Sequence, residues 1–315
     1  MKQLFPFLFL AAMGLGFFSG CKGTKTVSSS EQPDTSTESA VAEALPTPVS
    51  SLLWEISGNY LEQPSYLYGT IHIIGSNDYF MSDAVVEAFN ASELLALEID
   101  MDDPQMMRKM MSGMMMEDEQ TLEDLLSPED YELVHNFLLD SAEVPKIGIK
   151  QIERMMPMLA LSAAYPKMID GDMRSYEQEF MNMAKENDLE IVGVEKIEDQ
   201  LAVIGQIPYE EQATMLLEYA KDFAAQKVEM ARMIEIYRSQ DIDGMLALME
   251  ESDTGTVGDF EEILLEQRNR NWIPVIGDYA SKQTTFFAVG AGHLAGETGV
   301  IKLLRDAGYT VEPVM

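Results

Sequence analysis

Two of the three histidines in the chain follow a glycine at the same spacing. They stand in Gly69-Thr-Ile-His72 and Gly290-Ala-Gly-His293, each at the end of an apolar run. With 21 glycines in 315 residues, the chance of this coincidence among three histidines is about 0.013. A glycine before a ligand lets the backbone turn sharply and approach a bound group. The spacing therefore indicates metal-ligating histidines, with two ordinary core or loop histidines as the alternative.

Two glutamates end apolar runs in the same way, in Leu94-Leu-Ala-Leu-Glu98 and Ile191-Val-Gly-Val-Glu195. Ligands of open α/β sheets bind beyond the carboxyl ends of the strands, so four such ends are expected to meet in one crevice. Two imidazoles and two carboxylates form a plausible divalent-metal site, suited to Mn, Co, Fe or Zn without a choice among them. For each glutamate, a solvated strand end or a helix cap stays open as the alternative. No His-Glu-x-x-His sequence occurs, which excludes the helical zinc-protease arrangement.

Strand-like and helical segments alternate along the part of the chain that must position these residues. The apolar, β-branched and aromatic runs predict strands at 52–56, 66–74, 93–100, 189–195, 284–289 and 310–314. Residues 101–187 and 198–280 are mostly helical in pattern. We therefore expect one domain over 51–315 of the α/β (α+β) class, with a mixed, partly parallel sheet. The long helical insertions are expected to cap the carboxyl ends of the strands.

The first 50 residues predict export and a lipid anchor. Residues 1–21 combine Lys2 with a short apolar core and end in Ser19-Gly20-Cys21, which resembles a bacterial lipoprotein signal peptide with Cys21 as the lipidated residue. A plain secretory signal is the alternative. Residues 22–50 hold eleven Ser or Thr and no aromatic residue, as a flexible tether does. Lys22 after the cysteine resembles Gram-negative lipoproteins of the outer membrane, so we expect a location in the cell envelope.

The composition excludes some partners and leaves other features structural. A net charge of −33 argues against nucleic acid, because phosphate binding needs clustered Lys and Arg. Membrane contact is expected through the anchor only. The methionine-rich run 106–116 permits a Cu(I) site but favours a flexible amphipathic helix. His135 has no ligand partner at helical spacing and is interpreted as an ordinary helix residue, and Trp272 as a core anchor.

These motifs, together with Glu198-Asp-Gln200-Leu201 and Arg268-Asn-Arg-Asn-Trp272, resemble the TraB/PrgY/GumN family. That family includes the Tiki metalloproteases and is related to the ChaN-like and erythromycin-esterase-like fold. The resemblance runs from about residue 52 to the C-terminus. It implies that the two Gly-x-x-His motifs are needed for metal-dependent proteolysis and that both glutamates fall on acidic family positions.

These groups favour hydrolysis by metal-activated water, and the resemblance implies that the substrate is a peptide or protein. His72, Glu98 and His293 would hold the ion, Glu195 would act as general base, and Arg268 would stabilise the oxyanion. The rival hypothesis is a lipoprotein of the same fold that binds a peptide or signal without cleaving it. A purely structural lipoprotein would leave the two Gly-x-x-His motifs unexplained.

Overall fold

A computed structural model describes residues 50–252 and 262–315 of the chain. The predicted signal peptide, its Cys21, and the tether up to residue 49 lie outside the described residues, as do residues 253–261 of the predicted helical region 198–280. Within the described ranges, no helix has both the length and the apolar character needed to cross a membrane.

The centre of the fold is a six-stranded mixed sheet. The strands of the described part are β1 (Leu53–Gly58), β2 (Ser65–Thr70), β3 (Ile74–Gly75), β4 (Leu94–Ile99), β5 (Met173–Arg174), β6 (Glu190–Glu195), β7 (Thr285–Gly290) and β8 (Tyr309–Pro313). Their order in the large sheet is β6-β4-β7-β2-β1-β8, and β3 pairs with β5 separately. Strands β6, β4, β7 and β2 are mutually parallel, whereas β1 runs antiparallel to β2 and β8. The α/β class and the partly parallel sheet are therefore as predicted.

Burial explains why the central strands are continuous apolar runs. Every residue of β4 and of β7 is buried, because helices cover both faces of a parallel sheet. The covering helices include Tyr176–Glu186, which packs on β4 and β6, and Gln267–Lys282, which packs on β6 and β7. Alternating polarity is absent from these strands for the same reason.

Helices form most of the rest of the described residues. They are α1 (Asp83–Asn90), α2 (Met106–Gly113), α3 (Leu122–Leu125), α4 (Pro128–Asn136), α5 (Ile149–Ile152), α6 (Pro157–Ala160), α7 (Tyr176–Glu186), α8 (Ile197–Ile204), α9 (Tyr209–Lys221), α10 (Phe223–Arg238), α11 (Ile242–Ser252), α12 (Gln267–Lys282) and α13 (Val300–Asp306). Short 3₁₀ or π segments are Glu117–Glu119, Phe137–Ser141, Leu161–Lys167, Glu262–Glu266 and Ala291–His293.

Two segments differ from the sequence prediction. The strand expected over 66–74 ends at Thr70, and the chain then leaves the sheet before Ile74 and Gly75 pair with β5. The helical region 101–187 is broken into short helices. Thr121 and Asp124 form a capping box, and Pro128 and Pro157 each begin a helix, so local caps restart the helix several times.

Residues 106–113 of the methionine-rich run 106–116 form an amphipathic helix, which confirms the prediction for that part of the run. Met106 and Met110 are buried in α2, while Met107 and Met111 are 45% and 42% exposed. These pairs lie four residues apart on two faces of one helix. The buried pair joins the core, and the exposed pair leaves an apolar strip on the surface.

Candidate active site

The four predicted site residues on strand ends meet at one edge of the sheet. Glu195 ends β6, Glu98 is the second-last residue of β4, and His293 and His72 follow β7 and β2. The Nε2 atom of His72 lies 3.8 Å from Oε1 of Glu98, and the Nε2 atom of His293 lies 4.0 Å from the same oxygen. Because the four strands are parallel neighbours, their carboxyl ends bring these side chains into one cluster.

Gly290 provides the space in which three of these groups face each other. A Cβ atom on Gly290 would lie 3.2 Å from Oε1 of Glu98, 3.3 Å from Nε2 of His72 and 3.5 Å from Cδ2 of His293. Its own N–H donates to Oε1 of Glu98 at 2.8 Å. The φ of −55° is open to any residue. The expected sharp turn is therefore not the reason for this glycine; the reason is the room beside the donor atoms.

Gly69, the matching glycine of the other motif, has a different role. A Cβ there would lie 2.7 Å from Cδ1 of Leu294 and 3.0 Å from the Cβ of Ala291. Gly69 lets β2 pack against the turn that carries His293. Gly69 thus allows close packing, whereas Gly290 provides space within the site.

The His72 ring is held by a buried carboxylate. Its Nδ1 lies 2.8 Å from Oε1 of Glu177, which also accepts from the Thr70 hydroxyl at 2.8 Å. The Ser175 hydroxyl donates to the other oxygen of Glu177 at 2.8 Å. A carboxylate accepts hydrogen bonds, so Nδ1 carries the proton and Nε2 offers its lone pair to the cluster. Burial lowers the pKa of His72, but Glu177 and then Glu98 outweigh it, and the pKa is raised overall.

The His293 ring is held in the same tautomer by an amide. Its Nδ1 lies 2.6 Å from Oδ1 of Asn269, whose Nδ2 donates to the carbonyl of Thr298 at 2.9 Å. This fixes Nδ1 as the donor and turns Nε2 towards the cluster. Burial first, and then the charge of Arg268, lower the pKa of His293 to about 3. The imidazole is therefore neutral, which is the form that binds metal ions.

Arg268 is a buried cation at the centre of the cluster. It is 2% exposed, and its Nη2 donates to Oε2 of Glu98 at 2.8 Å. Its Nε lies 3.0 Å and 3.1 Å from the two oxygens of Glu195, and its Nη2 contacts the same carboxylate closely. Its Nη1 lies 3.2 Å from Nε2 of His293. One guanidinium thus touches three of the four strand-end residues.

The two glutamates that contact this guanidinium have pKa values shifted in opposite directions. Burial would raise the pKa of Glu98, but Arg268 and the two histidines outweigh it and lower the pKa to about 2. For Glu195, burial dominates over Arg268 and raises the pKa. Glu195 also accepts from Nε1 of Trp272 at 3.1 Å and from Nε2 of Gln200 at 3.2 Å. Glu98 is thus held as an anion, whereas Glu195 is the stronger base.

The charges of the cluster leave room for a cation. Three carboxylates lie in the cluster with the guanidinium of Arg268: those of Glu98 and Glu195 pair with it, whereas that of Glu177 contacts His72. If all three are ionised, two negative charges remain uncompensated by these groups. Buried charge is costly unless it is paired, so the cluster would favour a divalent cation.

The chemical types of the donor atoms suit a divalent ion. The donor atoms lie farther apart than they would when bound to one ion. Within residues 50–252 and 262–315, no three His, Cys, Asp or Glu side chains are already gathered into a metal-holding group. The separations of 3.8 Å and 4.0 Å exceed the roughly 3.3 Å between ligand atoms of a tetrahedral site with bonds near 2.0–2.1 Å. To bind one ion, the Nε2 atoms of the two histidines would each have to move closer to the Glu98 carboxylate, by about 0.5–0.7 Å.

Three residues of the site were not predicted from the sequence: Glu177, Gln200 and Asn269. Gln200 and Asn269 lie in the two sequence motifs that resemble the family, residues 198–201 and 268–272. The residue types and spacing around them did not indicate a role in the site. Glu177 carried a readable signal. It falls within the buried face of α7 beside Tyr176 and Phe180, and an acid in an apolar face needs a polar partner. Trp272 is a fully buried core residue as expected, and its N–H to Glu195 adds a role that was missed.

His135 lies in α4 and outside this cluster. Its Nδ1 is 2.5 Å from Oε1 of Glu153, which also accepts from the hydroxyl of Tyr131 at 2.9 Å. These contacts join α4 to the residue that follows α5. They agree with the interpretation of His135 as a residue of the helical region.

Comparisons with known proteins extend these observations. A family model described as the TraB/PrgY/gumN family matches residues 52–313. Metalloprotease TIKI1 of Danio rerio is 23% identical over 323 residues, covering 84% of this chain and 63% of the relative. Metalloprotease TIKI2 of Danio rerio is 21% identical over 316 residues, covering 84% and 61%. The chain thus spans less than two thirds of the length of both relatives. No solved structure matches the chain.

Proposed function

Since the chain belongs to the TraB/PrgY/gumN family, we propose that it is a metal-dependent hydrolase that cleaves peptide bonds. The observation that carries the proposal is the meeting of two Nε2 atoms and one carboxylate oxygen beside Gly290. The distant relatives named as metalloproteases support the reaction class. Because the chain covers only part of their length, the activity of this chain is our inference.

His72, His293 and Glu98 are the residues that would hold the ion, which we expect to be Mn, Co, Fe or Zn. A divalent ion at such a site lowers the pKa of a water molecule and polarises a carbonyl group. Glu177 and Asn269 would keep both imidazoles in the ligating tautomer through their Nδ1 atoms. Each of these partners acts on the ring and not on the substrate.

Glu195 and Arg268 would carry the proton and charge chemistry. The raised pKa of Glu195 suits a general base, which works best when its pKa approaches the operating pH. Arg268 presents Nη1 towards His293, so a small movement would direct this N–H to a developing oxyanion. Its bonds to both glutamates hold the guanidinium in place while the charge of the substrate changes.

The test uses the purified full chain, stripped with a chelator and reloaded with one metal at a time. A peptide library is then offered, and cleavage products are identified by mass spectrometry. We expect cleavage that the His72→Ala and His293→Ala variants lose by about a hundredfold or more, since each removes one ligand. His135→Ala is the matched control and should retain the activity. Cleavage that is independent of metal, or equal in all variants, would sink the proposal.

A second candidate function is peptide or signal binding without turnover. The observation that favours it is the 3.2 Å contact between Nη1 of Arg268 and Nε2 of His293. A guanidinium at this position would occupy the nitrogen with which His293 would bind a metal ion. Isothermal titration with Mn, Co, Fe and Zn separates the two functions. Peptide binding without metal binding would support the second function, peptide or signal binding without turnover.

For export and anchoring we propose that Cys21 is lipidated and that the protein is attached to the outer membrane of a Gram-negative bacterium. The support is the signal-peptide pattern of residues 1–21 and the Ser/Thr-rich segment after it. Substitution Cys21→Ser should move the protein from the membrane fraction to the soluble fraction. An unchanged membrane fraction, together with an unmodified Cys21 by mass spectrometry, would contradict the anchor.

A further inference from the structure

A pocket lined by methionines opens beside the two site histidines. Its lining is mainly apolar and includes Met230 and Met233 of α10, Met245 and Met249 of α11, and Tyr165. Its polar groups are at the sheet edge, where Thr70, His72 and His293 lie with Gly290. The pocket therefore connects an apolar interior with the donor atoms of the candidate active site.

The size of the pocket matches a single side chain. Its volume is about 60 Å³, and one water molecule needs roughly 10–15 Å³ of such space. The space thus accommodates about four to six atoms, the number in a leucine or methionine side chain. Two adjacent large side chains would not fit without movement of the lining.

We propose that this pocket binds an apolar, leucine- or methionine-sized side chain of the substrate next to the bond that is cleaved. The inference rests on the proposed hydrolase function, because it places that side chain against the reacting groups at His72 and His293. The substrate class is then a peptide with an unbranched or γ-branched apolar residue at this position.

The chemistry of the lining supports such a preference. Methionine side chains are unbranched and polarisable, so they adjust to apolar groups of different shape. A charged side chain would lose most of its hydration against the methionine side chains, and burying a charge in an apolar surrounding is costly. We expect leucine, methionine and norleucine to be accepted, alanine to bind weakly because it leaves space unfilled, and aspartate and lysine to be rejected.

Binding is tested without turnover by NMR of the full chain labelled with [methyl-¹³C]methionine. N-acetyl-leucine amide and N-acetyl-aspartate amide are the two probes, used at millimolar concentrations. We expect the methyl signals of Met230, Met233, Met245 and Met249 to shift with the leucine probe only. The exposed Met107 and Met111 should not shift with either probe. No shift at the four pocket methionines, or equal shifts with both probes, would overturn the subsite.

A pair of variants tests the same subsite in peptide cleavage. Met249→Phe adds bulk to a half-buried residue of the pocket lining. It should lower the preference for leucine over alanine at least about tenfold, which is within the usual effect of a change in one pocket contact. Met183→Phe, on the half-buried face of α7 away from the pocket lining, should not change that preference. An unchanged preference in Met249→Phe contradicts the subsite. Leucine-probe shifts without any cleavage would leave the subsite standing and remove the hydrolase proposal.

Discussion

Adding one methyl group at Gly290 should change metal binding at the site more than the stability of the fold. Its backbone angles are open to alanine, but the new Cβ would lie 3.2–3.5 Å from Glu98, His72 and His293. We expect Gly290→Ala to weaken Mn, Co or Zn binding about tenfold or more, because the methyl group occupies the space between the donors. Isothermal titration measures the affinity. Full-affinity binding in this variant would show that the ion does not lie beside Gly290.

Gly69→Ala is the matched comparison and should show the opposite behaviour. Its Cβ would lie 2.7–3.1 Å from atoms of Leu294 and Ala291, and overpacking of this kind costs about 1–3 kcal/mol. We expect a lower free energy of unfolding in urea and near-normal metal affinity in the folded fraction. The reverse pattern for the two glycines would contradict the roles assigned to them.

Glu177 should influence metal affinity through the His72 ring. Glu177→Gln keeps the size of the side chain but removes the charge that faces Nδ1 of His72 at 2.8 Å. Changes in such supporting groups cost about 10–100-fold in metal affinity, and we expect a loss in that range by isothermal titration. Glu179→Gln on the same helix, where Glu179 pairs with Arg174, is the control. A similar loss in both variants would point to α7 as a whole.

At the scale of single residues, the sequence was most informative where chemistry and spacing coincide. His72, Glu98, Glu195 and His293 were predicted to meet because each ends an apolar run, and a parallel sheet brings such ends together. Asn269 and Glu177 were not predicted, since their partners are histidines 24 and 105 residues away in sequence. Only the packing of α7 and α12 against the sheet supplies those contacts.

Helix α10 should stabilise the strand that leads to His72. The hydroxyl of Tyr237 donates to the carbonyl of Gly69 at 3.0 Å and lies 3.3 Å from the hydroxyl of Tyr68. Tyr237 is fully buried, so Tyr237→Phe leaves polar groups without this partner. We expect the free energy of unfolding to fall by about 1–3 kcal/mol in urea denaturation.

The control for this element is Tyr60→Phe, since Tyr60 is fully exposed and outside the core. Its effect should stay within about 0.5 kcal/mol, as is usual for surface changes. Equal stability of the Tyr237→Phe variant and the wild type would mean that α10 does not support β2 through this hydroxyl.

The elements themselves were predictable to different degrees for physical reasons. Buried strands such as β4 and β7 have apolar runs that only a covered sheet explains, and they lie within a residue of the predicted ranges. The end of β2 at Thr70 was not predicted, because the apolar pattern continues through Ile71, Ile73 and Ile74. That continuation packs in a two-stranded ribbon and in the pocket wall, which sequence polarity does not distinguish from a strand.

At the scale of the whole molecule, the charge of −33 and the buried cluster are separate properties. Most of the 54 acids face solvent, whereas Glu98 and Glu177 are buried beside histidines. An acidic surface attracts any divalent cation weakly. The buried cluster, with two imidazole nitrogens, selects cations that accept nitrogen ligands. A metal experiment on this protein must therefore separate the two kinds of binding.

Thermal unfolding of the chelator-stripped chain makes that separation. A ligand that binds only the folded state at about 100 times its Kd stabilises it by about 2.7 kcal/mol, or roughly 5–10 °C in Tm for a domain of this size. We expect such a rise with Mn, Co or Zn, and a much smaller one with Mg or Ca, which prefer oxygen ligands. His72→Ala and His293→Ala should abolish the rise, and His135→Ala should keep it. If Mg and Ca raise Tm equally and the His72 and His293 variants respond like the wild type, the stabilising ions bind the acidic surface and not the cluster at the sheet edge.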